Sequence, residues 1–219
     1  MTWTESVSTA GGNEMAQQER ALRTRRLIVE AAGAVFDEMG FAAATTNEII
    51  DRSGVTRGAL YFHFPSKEAI ADAVVAAQDE ALVPPERELR LQAAIDLTMS
   101  FGDRLRHDPV LRGAVRLAVE QASYRKPDAS PYVSSHAVVL RLLREAEHHG
   151  ELLPGVDPEE VTALIVGAFT GIQVLSQAIN NRADLLGRVT VLWRYLLPGL
   201  AVPALLPRLN TAPEVRIAQ

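Results

Sequence analysis

Apolar residues along this chain recur three and four positions apart, the spacing of one face of an α-helix. Ile28, Ala31, Ala32, Val35 and Met39 predict a helix over residues 17–39, closed by Gly40. Ile70, Ala73, Val74 and Ala77 predict one from Ser66 to about Leu82, stopped by Pro84 and Pro85. Leu91, Ala94, Ile95, Thr98, Phe101 and Leu105 share a face of a helix over 86–106. Pro109 suits the first turn of the next, which carries Leu111, Ala114, Val115 and Ala118 to about Ala122. Residues 123–131 hold two prolines and read as a loop. Val139, Leu142, Leu143 and Ala146 then mark a helix over 132–149, ended by Gly150. Two further helices are expected over 158–179 and 184–197, and the prolines at 198, 203, 207 and 213 predict an irregular tail. No segment alternates with period two, so the pattern is that of an all-α chain.

Between the first two long helices, capping chemistry draws two short ones. Thr45 with Glu48 three residues on is a capping box, Ile49 and Ile50 supply an apolar face, and Gly54 can take the left-handed conformation that ends a helix. Thr56 is a second N-cap, opening Arg57-Gly58-Ala59-Leu60-Tyr61 after a turn of only Gly54 and Val55. Helix, short turn, helix is the helix-turn-helix, whose second helix enters a DNA major groove. Arg57 sits in its first turn, and arginine pairs with both acceptors of guanine. Gly58 and Ala59 are small enough for close approach to a duplex, and Thr46 heads the first motif helix. Tyr61, His63 and Lys67 are candidate phosphate partners, Lys67 following the cap Ser66. Phe62 and Phe64 read as core aromatics.

The run Phe36–Ala69, FDEMGFAAATTNEIIDRSGVTRGALYFHFPSKEA, resembles the DNA-binding domain of the TetR family of bacterial repressors. More narrowly, GVTRGALYFHFPSKE is similar to the γ-butyrolactone-receptor branch of actinomycetes. The resemblance implies an N-terminal three-helix helix-turn-helix domain followed by a larger helical domain for ligand binding and dimerisation. The expected divisions are a disordered polar arm (1–15), the DNA-binding domain (16–64), the ligand-binding and dimerisation domain (65–200) and a tail (201–219).

Composition narrows this reading. A net charge of −5 argues against a protein that coats nucleic acid over its whole surface, but Arg20, Arg23, Arg25 and Arg26 cluster just ahead of the motif. Arg20 and Arg23 are therefore candidate backbone contacts. There is no cysteine, which suits a reducing cytoplasm and leaves no thiolate metal site. No stretch is expected to span a bilayer, and the N-terminus does not read as a secretory signal. A cytoplasmic, nucleoid-associated protein is expected.

No enzyme constellation is present: no GxSxG, P-loop or HExxH pattern occurs, and no cofactor or metal is expected. Asp103 with His107, and His136, read as helix-surface residues, and His148 with His149 as a helix C-terminus. On the helix from Pro158, Val161, Leu164, Ile165, Ala168, Ile172, Leu175 and Ile179 make one apolar stripe, while Ala163, Gly167 and Gly171 make a second of small residues. With the helix after it, this is more apolar surface than one core uses. A homodimer through the last two helices is expected, against a fully buried hairpin in a monomer. The resemblance also implies that dimer.

Thr170, Gln173 and Gln177 put polar groups on one face of the same helix, where they could orient a small ligand. The resemblance adds a cavity open to Tyr132 of the neighbouring helix, and a tryptophan near the start of that neighbouring helix in related receptors. Here the matching position is Ser135, which leaves a larger, more polar cavity and room for a lactone, butenolide, furan or antibiotic effector. The expected function is a homodimeric repressor of secondary metabolism, released from a palindromic DNA operator by a small molecule. The alternatives are a ligand-independent repressor and a small-molecule binder with a vestigial DNA-binding domain.

Overall fold

The computed structural model describes residues 8–121 and 130–212, and side-chain surroundings for 15–121 and 132–212. The described residues form helices α1 (Ser8–Ala43), α2 (Thr46–Ser53), α3 (Arg57–His63), α4 (Lys67–Ala76), α5 (Arg90–His107), α6 (Pro109–Glu120), α7 (Ser130–His148), α8 (Pro158–Asn180) and α9 (Leu185–Leu196). Tighter 3₁₀ turns follow α4 and α9, and a further one over Pro203–Arg208 orders part of the expected tail. The one β feature among the described residues is an isolated bridge between Leu152 and Ala201. The chain is all-α.

Two differences from the expected pattern appear at the first helix. α1 begins at Ser8, well ahead of residue 17, so only residues 1–7 of the expected arm lie outside the described residues. Gly40 (φ 72°) breaks the helical path as anticipated, but helix resumes to Ala43 beyond the kink. Met39 is exposed, and Phe36 takes the core position assigned to it. The expected loop over 123–131 lies largely outside the described residues.

Packing divides the chain into two units, residues 1–77 with 109–126, and residues 78–108 with 127–219. The first unit buries Ile28, Val35, Phe36, Ile49, Leu60, Phe64, Ile70 and Val74 together with Ala114 and Leu117 of α6. Thus α4 and α6, expected downstream of the helix-turn-helix domain, pack with it. Two bare Cα atoms let α6 lie against α1. A methyl on Gly113 would fall 2.2 Å from the Gly33 carbonyl oxygen, and one on Gly33 would fall 2.6 Å from Val110 Cα. Polar ties reinforce the seam. Arg112 Nε donates to Asp37 Oδ2 (2.6 Å), Arg116 Nη1 to the Asp37 carbonyl (2.7 Å), and the Phe41 amide to Glu120 Oε2 (3.2 Å).

The second unit is built on α5, whose Leu91, Ala94, Ile95 and Leu105 are buried, with α7 and α9 packed on it. No side chain of its own N-cap serves α5. Instead the Glu151 carboxylate, only 3% exposed, accepts from the amides of Arg90 (2.9 Å) and Leu91 (2.8 Å). An anion at a helix N-terminus satisfies orphan donors and complements the helix dipole. Trp193 of α9 is fully buried, and its indole N–H donates to Thr98 Oγ1 at 2.7 Å.

α8 carries a correction. By length and composition alone it is apolar enough to cross a membrane, against the expectation that no stretch is. Thr162, Gln173 and Ser176 interrupt its apolar run without adding charge. Core helices of soluble proteins share this length and composition. Leu164, Leu175 and Ile179 on α8 and Tyr195 on α9 stand exposed in the single chain.

Candidate nucleic-acid interface and effector wall

The local chemistry read from the sequence sets up α2 and α3. The Glu48 amide donates to Thr45 Oγ1 (3.2 Å), and the Thr45 amide to Glu48 Oε2 (2.8 Å), closing the capping box. Gly54 ends α2 in the left-handed conformation (φ 68°), its N–H bonded to the Ile50 carbonyl. Thr56 Oγ1 accepts from the Ala59 amide at 3.2 Å and opens α3. Ile49 and Leu60 are fully buried, anchoring one helix each. Beside them, Arg52 makes two bonds to Glu38 (2.7 and 2.8 Å), and this hydrogen-bonded guanidinium holds the Glu38 carboxyl below the usual carboxylate range.

What α3 turns outward is the candidate interface. Arg57 and Gly58 are exposed, and a Cβ at Gly58 would meet nothing within 4 Å. Arg57 Nη2 donates to Asn47 Oδ1 of α2 at 2.7 Å, which aims the guanidinium along the paired helices. Tyr61 is nearly half exposed, its hydroxyl 3.4 Å from Thr46 Oγ1. The structure therefore brings Thr46, Arg57 and Tyr61 into one group, held by bonds between α2 and α3. Thr56 is exposed with its hydroxyl committed to the cap, and Ala59 and His63 are partly buried. Arg20 and Arg23 are exposed on α1, outside this bonded group. Their neighbours Arg25 and Arg26 are engaged locally, Arg25 over the Phe64 ring (5.1 Å to its centroid) and Arg26 with Glu30.

Two placements depart from the sequence reading. Phe64 is core, but Phe62 is 82% exposed. At about 100° per residue, Phe62 projects nearly opposite the anchor Leu60. Lys67 turns inward. Its Nζ donates to the carbonyls of Phe41 (2.7 Å) and Ala44 (2.9 Å) and stands 4.2 Å from the Phe41 ring centroid. It ties the start of α4 to the end of α1. Asn47 and Phe62 were missed by sequence reasoning. Asn47 carried no signal of its own, and Phe62 lies on a helix of seven residues, too short for periodicity to show its uncovered side.

On the second unit, Tyr132 is half-buried, and burial pushes its phenol above the ordinary value. Ser135 Oγ donates to the Tyr132 carbonyl (3.0 Å), and Thr170 Oγ1 to the Val166 carbonyl (2.8 Å). Gln173, 2% exposed, and Gln177 are drawn together by a residue the sequence reading overlooked. Arg182 donates from Nη2 to Gln173 Oε1 (3.2 Å) and from Nη1 to Gln177 Oε1 (2.5 Å). Arg182 is itself buried and left-handed (φ 65°), in the turn between α8 and α9. A groove of about 690 Å³ runs along the outer side of α8 and α9, lined by Ile172, Gly187, Val191, Leu192 and Tyr195 among others.

Two capped short helices on a shared core, the second led by an exposed arginine, define a DNA-binding regulator of the helix-turn-helix class. The pattern of bacterial regulatory proteins of the tetR family matches residues 28–74, and that of the tetracyclin repressor-like C-terminal domain matches residues 89–203. The chain belongs to the TetR family, as a DNA-binding transcriptional repressor. It is 39% identical to the A-factor receptor protein of Streptomyces griseus over 203 residues, 93% of this chain and 72% of that one. The full-length TetR regulator tylp of Streptomyces fradiae superposes with a TM-score of 0.78 at 47% identity, over 87% of this chain and 93% of that one. CprB of Streptomyces coelicolor, in complex with its biological operator sequence, superposes with a TM-score of 0.71 at 28% identity, over 86% and 94%. These similarities bear out the γ-butyrolactone-receptor-like branch read from GVTRGALYFHFPSKE.

Proposed function

We propose that the protein acts as a homodimer, places two copies of α3 in successive major grooves of a near-palindromic operator, and leaves DNA when a small effector binds. The observation that carries this reading is the outward group of Thr46, Arg57 and Tyr61, organised by bonds between α2 and α3. In this reading Arg57 pairs with a guanine, and Thr46, Tyr61, Arg20 and Arg23 contact phosphates. Dimerisation through α8 and α9 would cover Leu175, Ile179 and Tyr195 and explains why so apolar a helix is little buried in one chain. The same burial accounts for α8 without a membrane. Such a regulator works in the cytoplasm, at the nucleoid.

Similarity to the A-factor receptor supports a γ-butyrolactone or related lactone effector, and control of secondary metabolism. Tyr132, Ser135, Thr170 and Gln173 are the wall residues assigned to it. An effector releases DNA only by as much as it prefers the conformation with wrongly spaced heads. A second reading, a repressor that answers no effector, is supported by the bond that Ser135, Thr170 and Gln173 each make within the protein. Titrating γ-butyrolactones, butenolides and furans into the protein–operator complex separates the two. Saturable release at low effector concentration supports the first reading, and an unmoved complex across the series supports the second.

A further inference from the structure

The most exposed large apolar side chain among the described residues belongs to Phe62, which is neither a base-pairing nor a phosphate-pairing residue. Its ring is 82% exposed, touching His63 edge-on at 5.1 Å between centroids. One turn earlier on the same side of α3 stands Gly58, with open space where a side chain would be. Gly58 and Phe62 thus make a notch and a ridge on the side opposite the buried Leu60. Arg57 leans to one flank, held by Asn47. A phenyl ring so largely exposed gains little from the protein's own core, and leaving it in water forgoes the gain from burial. In a major groove, the apolar feature on a base edge is the 5-methyl group of thymine, and apolar contact with it is a recognised form of readout.

We infer that Phe62 is a specificity residue that packs against a thymine methyl group in each half-site of the operator. The notch at Gly58 lets the groove edge close on α3 while the ring reaches the methyl, and Arg57 reads its base from the neighbouring flank. This inference rests on the proposed entry of α3 into the major groove. It adds a thymine preference that arginine chemistry alone does not supply.

The test uses the full-length protein and a duplex selected from a random-sequence pool. Each thymine is replaced singly by uracil, which removes the methyl and keeps the pairing edge. Affinities are measured by fluorescence anisotropy for the wild type, Phe62→Ala and Phe62→Leu. Burial of one methyl corresponds to about a fourfold change in affinity. The wild type is expected to lose about fourfold at one thymine per half-site, Phe62→Ala to be indifferent to that replacement, and Phe62→Leu to keep part of it. Circular dichroism and oligomeric state should match the wild type, since the ring is largely outside the core. An equal uracil cost in wild type and Phe62→Ala overturns the inference. So does a uniform weakening by Phe62→Ala with no thymine sensitivity in the wild type, which would put the ring against sugars. Arg57→Ala on the same duplex tells the two levels apart: if it too changes nothing, the entry of α3 has failed along with Phe62.

Discussion

At the residue scale, Arg57 and Lys67 are both cations of the first unit, yet geometry gives them different tasks. Arg57 points outward with one bond to Asn47 and most of its five donors turned to solvent. Arg57→Ala is expected to cost about 1–3 kcal/mol of binding to the selected operator and to relax preference at one position per half-site. Competition binding against a panel of single-base variants measures this. Lys67 gives two donors to the carbonyls at the end of α1. Lys67→Met is therefore expected to lower the melting temperature and leave the salt dependence of DNA binding unchanged. Loss of a phosphate contact would make the slope of log K against log salt shallower by about 0.9 per subunit. A shallower slope at wild-type stability would return Lys67 to the phosphates.

At the scale of the element, the caps and the glycine seam hold the reading surface. Gly113→Ala is expected to destabilise the first unit by about 1–3 kcal/mol, because the new methyl meets backbone that cannot give way. Denaturant unfolding measures it. In the second unit, Asp184 accepts from Ser176 Oγ (2.6 Å) and Arg188 Nε (2.8 Å), fixing the turn between α8 and α9. The Ser176 bond first, then Arg188, holds its carboxyl below the usual range. A lowered folded value adds stability above the unfolded carboxylate range near ~4, lost as pH falls through the folded value. Asp184→Asn should therefore melt below the wild type at pH 7, with the gap closing as pH drops through ~4 and below.

The caps were legible because they are local: Thr45 with Glu48, Gly54 and Thr56 each act within four residues. The α1–α6 seam was not, since Asp37 and Arg112 meet across 75 positions and Gly33 reads as an ordinary helix residue until Gly113 lies on it. Phe62 was misread because α3 is two turns long, too short for a periodic pattern to show which side is covered. Arg182 was invisible, its burial decided by two glutamines on the preceding helix.

At the scale of the whole molecule, the proposed function depends on two readers held at a set separation. The chain passes between its units three times, after Ala77, Asp108 and Lys126, so both α4 and α6 of the first unit are continuous in sequence with the second unit. For the proposed effector response, the chain offers three covalent links between the units. Placing Glu at Leu175 and Ile179 together is expected to give a monomer by light scattering. Its operator affinity should fall to that for unrelated duplex, because each half-site alone is weak. The most direct test of paired reading is anisotropy binding to the selected duplex and to the same duplex with five base pairs inserted at its centre. That insertion turns one half-site about half a helical turn away from its partner. The account predicts affinity no better than for unrelated DNA at the same ionic strength; undiminished binding to the lengthened site would contradict it.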